Sequence, residues 1–146
     1  MPKAERTNWV GRAWQISSRL PGGAFWFSRW LAFKIPYTGT IGARVRELRP
    51  GYAQVSMRDR RALRNHLHSV HAIALSNLAE LCANLALACA LPADARFIVL
   101  GMQMSYLKKA RGELVAHCRW ELPTPCFGDH RVPVEIVDAK GDVVAR

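Results

Sequence analysis

The chain has 146 residues, half of them hydrophobic and 22% charged, which suits one domain with a substantial core and excludes a disordered chain or one that needs staples to fold. Its formal net charge of +10 suits polyanions (nucleic acid, anionic lipid or a phosphate-bearing ligand), or serves solubility alone. No apolar run reaches the roughly 18 residues that span a bilayer without a polar interruption, and the basic N-terminus lacks the apolar stretch and cleavage site of a secretory signal.

Arg6 to Leu20 reads as a helix, with Trp9, Val10, Ala13, Trp14 and Ile16 at a rough helical period and Pro21-Gly22-Gly23 ending it. Ala24 to Phe33 reads as a second helix, stopped by Pro36. Four of the five tryptophans lie here, amid Arg6, Arg12, Arg19, Arg29 and Lys34. Two roles fit: a lid packed on the main domain, or a face lying on a membrane surface. The short apolar faces favour the lid. These residues, 1–38, form a helical extension, and 39–146 form the main domain.

Gly39 to Gly42 reads as a turn. Ala43 to Leu48 and Tyr52 to Arg58 alternate in hydrophobicity as half-buried strands do, and Pro50-Gly51 between them makes a hairpin. Asp59 to Val70 is polar and irregular. Ser69 is a candidate N-cap for a helix running to about Ala90 and closed by Pro92. That helix is apolar nearly all round, so it is expected to be buried on most faces. Strands are expected at Phe97 to Leu107, Glu113 to Glu121, Val132 to Asp138 and Asp142 to Ala145, with the last hairpin turn around Gly141. Consecutive strands after one central helix imply an α+β fold, an antiparallel sheet wrapped around that helix.

Cys82, Cys89, Cys118 and Cys126 include no C-x-x-C pair. Cys82 and Cys89, seven apart on a helix, are separated by roughly 10 Å, too far for a disulfide. They read as small buried residues of a reducing, cytoplasmic compartment.

The chemistry concentrates between Asn65 and Glu80. His66, His68 and His71 spell H-x-H-x-x-H, the skeleton of a metallo-hydrolase loop. That loop needs an acid where Val70 stands, so no metal is expected. Ser69 and Ser76 lack the G-x-S-x-G elbow of a hydrolase nucleophile. A third reading is a carboxylate aided by a helix N-terminus. The first turn after Ser69 leaves free N–H groups at about Val70, His71, Ala72 and Ile73. Such an end can hold a carbonyl oxygen as it becomes an oxyanion. Glu80, a lone acid on an apolar helix, would then be base or nucleophile. Nine residues past His71, it falls on the opposite helix face, roughly 13 Å along the axis. Two chains with helices antiparallel across a two-fold axis bring both to one carbonyl. Asn77 and Asn84 share the Glu80 face, as part of a site or as a structural network at that contact.

Asn65, His71, Ala79 and Glu80 fall in register, without a gap, on the pattern Asn-x5-His-Gly-Gly-x5-Ala-Asp or -Glu. In this the chain resembles the hotdog-fold acyl-CoA thioesterases, in their phenylacetyl-CoA and hydroxybenzoyl-CoA branches. The resemblance implies a hotdog fold over about 39–146, with the two N-terminal helices outside the common core. It implies a homodimer or homotetramer, an acyl-CoA substrate, and no cofactor beyond the coenzyme A of that substrate. It also assigns roles: Glu80 as nucleophile or general base, Asn65 positioning the carbonyl or water, and the N–H after His71, that of Ala72, as oxyanion donor. By the same resemblance Lys108, Lys109 and Arg111 lie near the coenzyme A phosphates; a solvated turn is the plain alternative. Arg58, Arg60, Arg61 and Arg64 form a second basic cluster suited to the same end. The family's Gly-Gly is Ala72-Ile73 here. Alanine keeps the N–H, whereas isoleucine crowds the approach of the thioester and marks a divergent branch. Non-catalytic binding of acyl-CoA or acyl carrier protein is the alternative. Nucleic acid is not expected as a partner, because the basic residues are scattered and no recognition helix or stacking motif is present.

Overall fold

A computed structural model describes residues 8–146. The first helix, α1 (Trp9–Ser17), opens on Asn8, whose side chain accepts the Val10 N–H at 3.1 Å. The expected start at Arg6 lies outside the described residues. Helix α2 (Gly23–Lys34) follows through a tight turn. A Cβ at Gly23 would sit 1.5 Å from the Ser17 carbonyl oxygen, so only glycine lets α1 end against the start of α2. Pro36 does not merely stop the chain: it opens one further turn, α3 (Pro36–Gly39), at the position where a missing N–H costs nothing.

Strands β1 (Arg44–Arg49) and β2 (Tyr52–Met57) form the expected hairpin. Gly51 turns it with φ of 71°, and a Cβ there would meet the Trp120 carbonyl oxygen at 1.9 Å. After the hairpin come a 3-10 turn (Arg61–Leu63) and the long helix α4 (Ala72–Ala90). Strands β3 (Leu114–Arg119), β4 (Val134–Val137) and β5 (Val143–Ala145) complete an antiparallel sheet of order β1-β2-β3-β4-β5. Helix α4 enters the sequence between β2 and β3, yet those strands pair directly, from Tyr52–Arg119 to Met57–Leu114. The helix therefore lies across the sheet face instead of interrupting it.

The alternation read in the sequence is the alternation of burial. Leu114, Ala116 and Cys118 of β3 are fully buried, as are Ala53 and Val55 of β2. They meet Leu75, Leu78, Cys82, Leu85 and Ala86 of α4 in one continuous core. Burying each such leucine contributes about 1.5–3 kcal/mol. By length and composition α4 could cross a membrane, but it is largely buried in this core. Helices α1 and α2 belong to the same core through Val10, Trp14, Phe27 and Leu31. Trp14 meets Phe27 edge-on at 5.2 Å, and Ser28 Oγ anchors β1 by accepting the Val45 N–H at 2.9 Å.

Two expectations are corrected. The cap of α4 is His71, not Ser69: its Nδ1 accepts the Ile73 N–H at 3.1 Å. Ser69 is buried, and its backbone closes a loop on Asn65 instead. Phe97 to Leu107 is not a full strand. Only its end pairs, through Ser105–Arg146 and Leu107–Val144 hydrogen bonds and a bridge between Tyr106 and Ala145. Residues 97–104 form no ladder, because β5 is too short to partner them. They nevertheless expose Ile98 (79%) and Leu100 (70%).

All four cysteines are free thiols. Burial pushes the Cys82 thiol far up, and that of Cys118 up to about 11. Thiolates are the reactive form, so Cys82, Cys89 and Cys118 are expected to resist alkylation in the folded protein. Native iodoacetamide labelling read by mass spectrometry should modify Cys126 first, the one half-exposed thiol. Rapid native labelling of Cys82 would contradict this packing.

Candidate active site

The segment before α4 is tied down at every step. Asp59 accepts from Arg64 Nε at 2.7 Å and from the Gly112 N–H at 3.0 Å. The Arg64 hydrogen bond holds its carboxyl below the usual carboxylate range. Arg64 then pairs with Val70 in an isolated antiparallel bridge. Between them the chain makes a compact loop. The Asn65 N–H donates to the Ser69 carbonyl at 2.8 Å, and Asn65 Oδ1 accepts the Leu67 N–H at 2.9 Å and the Ser69 N–H at 3.3 Å. This is an Asx turn, the local structure asparagine favours. His68 takes the left-handed conformation at its tip, with φ of 54°. Arg111 staples the loop from outside, its guanidinium donating to the His68 and Leu67 carbonyls at 3.2 and 3.4 Å.

The loop decides which amides at the helix start are used. Val70 N–H donates to Ala110 and His71 N–H to Leu63, both at 2.8 Å. Ile73 N–H goes to the His71 ring, and Ala74 N–H to the His71 carbonyl at 2.9 Å. Of the donors from Val70 to Ala74, only the N–H of Ala72 has no acceptor among the described residues. It stands at the positive end of a helix of 19 residues. Two hydroxyls brace the same turn: Ser76 Oγ and Tyr106 Oη lie 2.7 Å apart, so that one donates to the other and the other to the Ala72 carbonyl, which lies 3.2 and 3.3 Å from them. Neither was read as a site residue from the sequence. Tyr106 ends an apolar run, and Ser76 stands four residues after Ala72, the spacing at which a serine reaches back to a helix carbonyl.

Asn65, His71 and Ala72 thus gather at one end of α4. Glu80 does not join them. Eight residues beyond Ala72, it lies about 12 Å further along the axis. It is half-buried, with no ion pair or hydrogen bond among the described residues. It shares its helix face with half-buried Asn84 and with Ile73, which is 58% exposed. Asn77 lies inward of this stripe, 6% exposed, and its Oδ1 is buried without a partner among the described residues. A buried carbonyl oxygen left unpaired costs about 1–3 kcal/mol.

Beside the helix start lies a cleft of about 210 Å³, lined by Tyr37, Ile41, Arg64, His71, Ile73 and Asn77 among others. It is of a size for a small ligand group. His66 and His68 are exposed and His71 caps the helix, so the three do not converge. Among the described residues no three His, Cys, Asp or Glu side chains are placed to hold a metal ion.

The basic triad is divided. Lys108 binds Asp138 at 2.8 Å and Asp142 at 2.5 Å, spanning the β4–β5 turn. Its hydrogen bonds to these two raise its own pKa, and the one to Asp138 lowers that of the carboxyl. Arg111 is spent on loop carbonyls. Lys109 is exposed and makes no ion pair among the described residues.

Comparison with known proteins places this architecture. No curated protein matches the chain. A structural-genomics crystal structure is 33% identical over 93% of this chain and 91% of its own, with a TM-score of 0.80. A protein of unknown function from Pseudomonas aeruginosa, described as a probable thioesterase, is 29% identical over 86% of this chain and 90% of its own, at a TM-score of 0.70. The phenylacetic acid degradation protein PaaI from Thermus thermophilus, solved as a point mutant, is 24% identical over 75% of this chain and 91% of its own. Its TM-score of 0.61 speaks to the fold alone. The antiparallel sheet packed on a long helix is the hotdog fold, which the chain shares with these distant neighbours. The model of the family described as "Domain of unknown function (DUF4442)" matches residues 23–146, so the chain belongs to that family, a divergent branch of the hotdog superfamily.

Proposed function

We propose that the chain is an acyl-CoA thioesterase whose site is completed by a second copy. The observation that carries this reading is the amide left unengaged at the helix start, Ala72 N–H, on a helix that also bears Glu80, a half-buried carboxylate without a partner among the described residues. In the reading, a thioester carbonyl accepts from Ala72 N–H. The Asx turn leaves the Asn65 amide nitrogen to orient that carbonyl or the attacking water. Glu80 of the second copy takes the proton from water as its oxygen attacks. The tetrahedral oxyanion is held at Ala72, and its collapse expels the coenzyme A thiolate. The acyl group occupies the cleft of about 210 Å³ next to His71. Lys109, Arg58 and Arg61 face the coenzyme A phosphates, whereas Lys108 is neutralised by its two aspartates and Arg111 is held by the loop carbonyls.

A dimer is supported by the unpaired edge at residues 97–104. An exposed apolar edge with unused backbone groups is a template for another strand. Two such edges, antiparallel across a two-fold axis, would bury Ile98 and Leu100 and bring the two helices alongside each other. The free thiols fit a cytoplasmic setting.

The isoleucine next to the amide favours a second reading. Ile73, exposed beside the Ala72 N–H, stands where a thioester would approach. This suits a protein that holds acyl-CoA or an acylated carrier without turning it over.

Three outcomes test these readings. Glu80→Gln is expected to lower kcat/KM towards acyl-CoA esters about 10²–10⁴-fold, the range for losing a general base; a variant as fast as wild type would refute the mechanism. Ile73→Gly is expected to raise turnover or widen the range of acyl groups, at about 1 kcal/mol of helix stability. Tight coenzyme A binding without hydrolysis in both wild type and Ile73→Gly would establish the binding reading instead. Leu100→Asp is expected to shift the protein to monomer by light scattering and abolish hydrolysis together; an active monomer would show that each chain holds a complete site.

A further inference from the structure

The N-terminal helices bury one face and leave a second one that is both aromatic and basic. Val10, Trp14, Phe27 and Leu31 point into the core. On the opposite side, Trp9, Arg12 and Ile16 recur at the spacing of one helix face, Arg19 follows in the turn after α1, and all four are exposed. Trp26, Arg29 and Phe33 do the same on α2, Trp26 at 67% and Phe33 at 79% exposure. The two stripes join where Trp9 meets Trp30 edge-on at 5.4 Å. Contiguous apolar surface of this kind on a folded chain marks a contact site.

Charge narrows what makes that contact. Residues 8–46 contain six Lys or Arg and no Asp or Glu. Among the described residues only Arg46 of the six forms an ion pair, with Glu113. A second copy of this chain is disfavoured as the occupant. A two-fold contact would press this face, which carries cations and no acid, against its own copy, like charge on like. An anionic bilayer takes both halves of the pattern. Its phosphates attract the cations, and its interfacial zone is where Trp and Phe partition from a helix lying in the membrane plane.

We infer that the outer face of α1 and α2 docks the protein on anionic lipid surfaces, with both helices parallel to the membrane. The docking is peripheral and reversible, and α4 stays in the core. It stands whether or not the chain hydrolyses thioesters, because none of the proposed catalytic groups takes part in it.

The test is flotation of the full chain with phosphatidylcholine vesicles containing phosphatidylglycerol, against pure phosphatidylcholine vesicles. Wild type is expected to float with the anionic vesicles only, with a blue shift of tryptophan emission, and to be released by high salt. Arg12→Gln/Arg19→Gln/Arg29→Gln is expected to weaken partition about a hundredfold, at about fivefold per cation near an anionic surface. Trp26→Ser/Phe33→Ser is expected to release the protein and remove the blue shift. Absence of flotation with the anionic vesicles overturns the inference. So does flotation undiminished in both variants, which would move the contact to other cations, and so does a change of oligomeric state in the variants without lipid, which would make the face a protein interface. Should a variant fail to fold, salt release of the wild type decides the electrostatic part and the emission shift decides the aromatic part.

Discussion

Burial of an almost wholly apolar helix against one face of an antiparallel sheet is the constraint on which the rest of this molecule depends. Leu78, Cys82 and Ala86 are sealed against Ala53, Val55, Ala116 and Cys118. That contact leaves α4 little freedom to slide or rotate, since its leucines fill a close-packed interior. The N-terminus of the helix is thereby held at one place, beside the loop 65–71 and the short helix α3.

The loop around the helix start shows how a single donor is left over. The amides from Val70 to Ala74 need partners outside the helix ladder or close to it. Ala110 and Leu63, strangers in sequence, satisfy two; the His71 ring and carbonyl satisfy two more. The N–H of Ala72 is the remainder. The surrounding bonds hold its peptide in place: Ser76 and Tyr106 grip the Ala72 carbonyl while Asn65 and Arg111 stiffen the loop before it. A donor that is oriented yet unspent is what electrostatic stabilisation of a developing oxyanion requires. The buried Oδ1 of Asn77, a short distance along the helix, has no hydrogen-bond partner among the described residues, which is a cost in stability.

Much of the fold could be read from local pattern. The β1–β2 hairpin, β3 with Leu114, Ala116 and Cys118 inward, and the helix ending near Ala90 all stand where alternation, turn residues and Pro92 put them. Local pattern failed where a partner distant in sequence decides. Ser69 has the chemistry of a cap, but the Asn65 turn captures it and shifts the helix start to His71. Phe97 to Leu107 has the composition of a strand, but β5 supplies a ladder only to its last residues. Of the basic triad, spacing alone did not show that Asp138 and Asp142 converge on Lys108. Nor did it show that Arg111 reaches back to the loop at Leu67 and His68.

By itself, then, the order of residues determined most of the elements, the hairpins and the long helix above all, and pointed to the candidate chemistry, because periodicity, turn residues and the register of Asn65, His71 and Glu80 are properties of neighbours along the chain. Tertiary structure alone decided which amide stays unspent, which cations stay available and which faces stay bare. Those depend on hydrogen-bond acceptors and carboxylates brought close from tens of residues away, and no short window of sequence contains them.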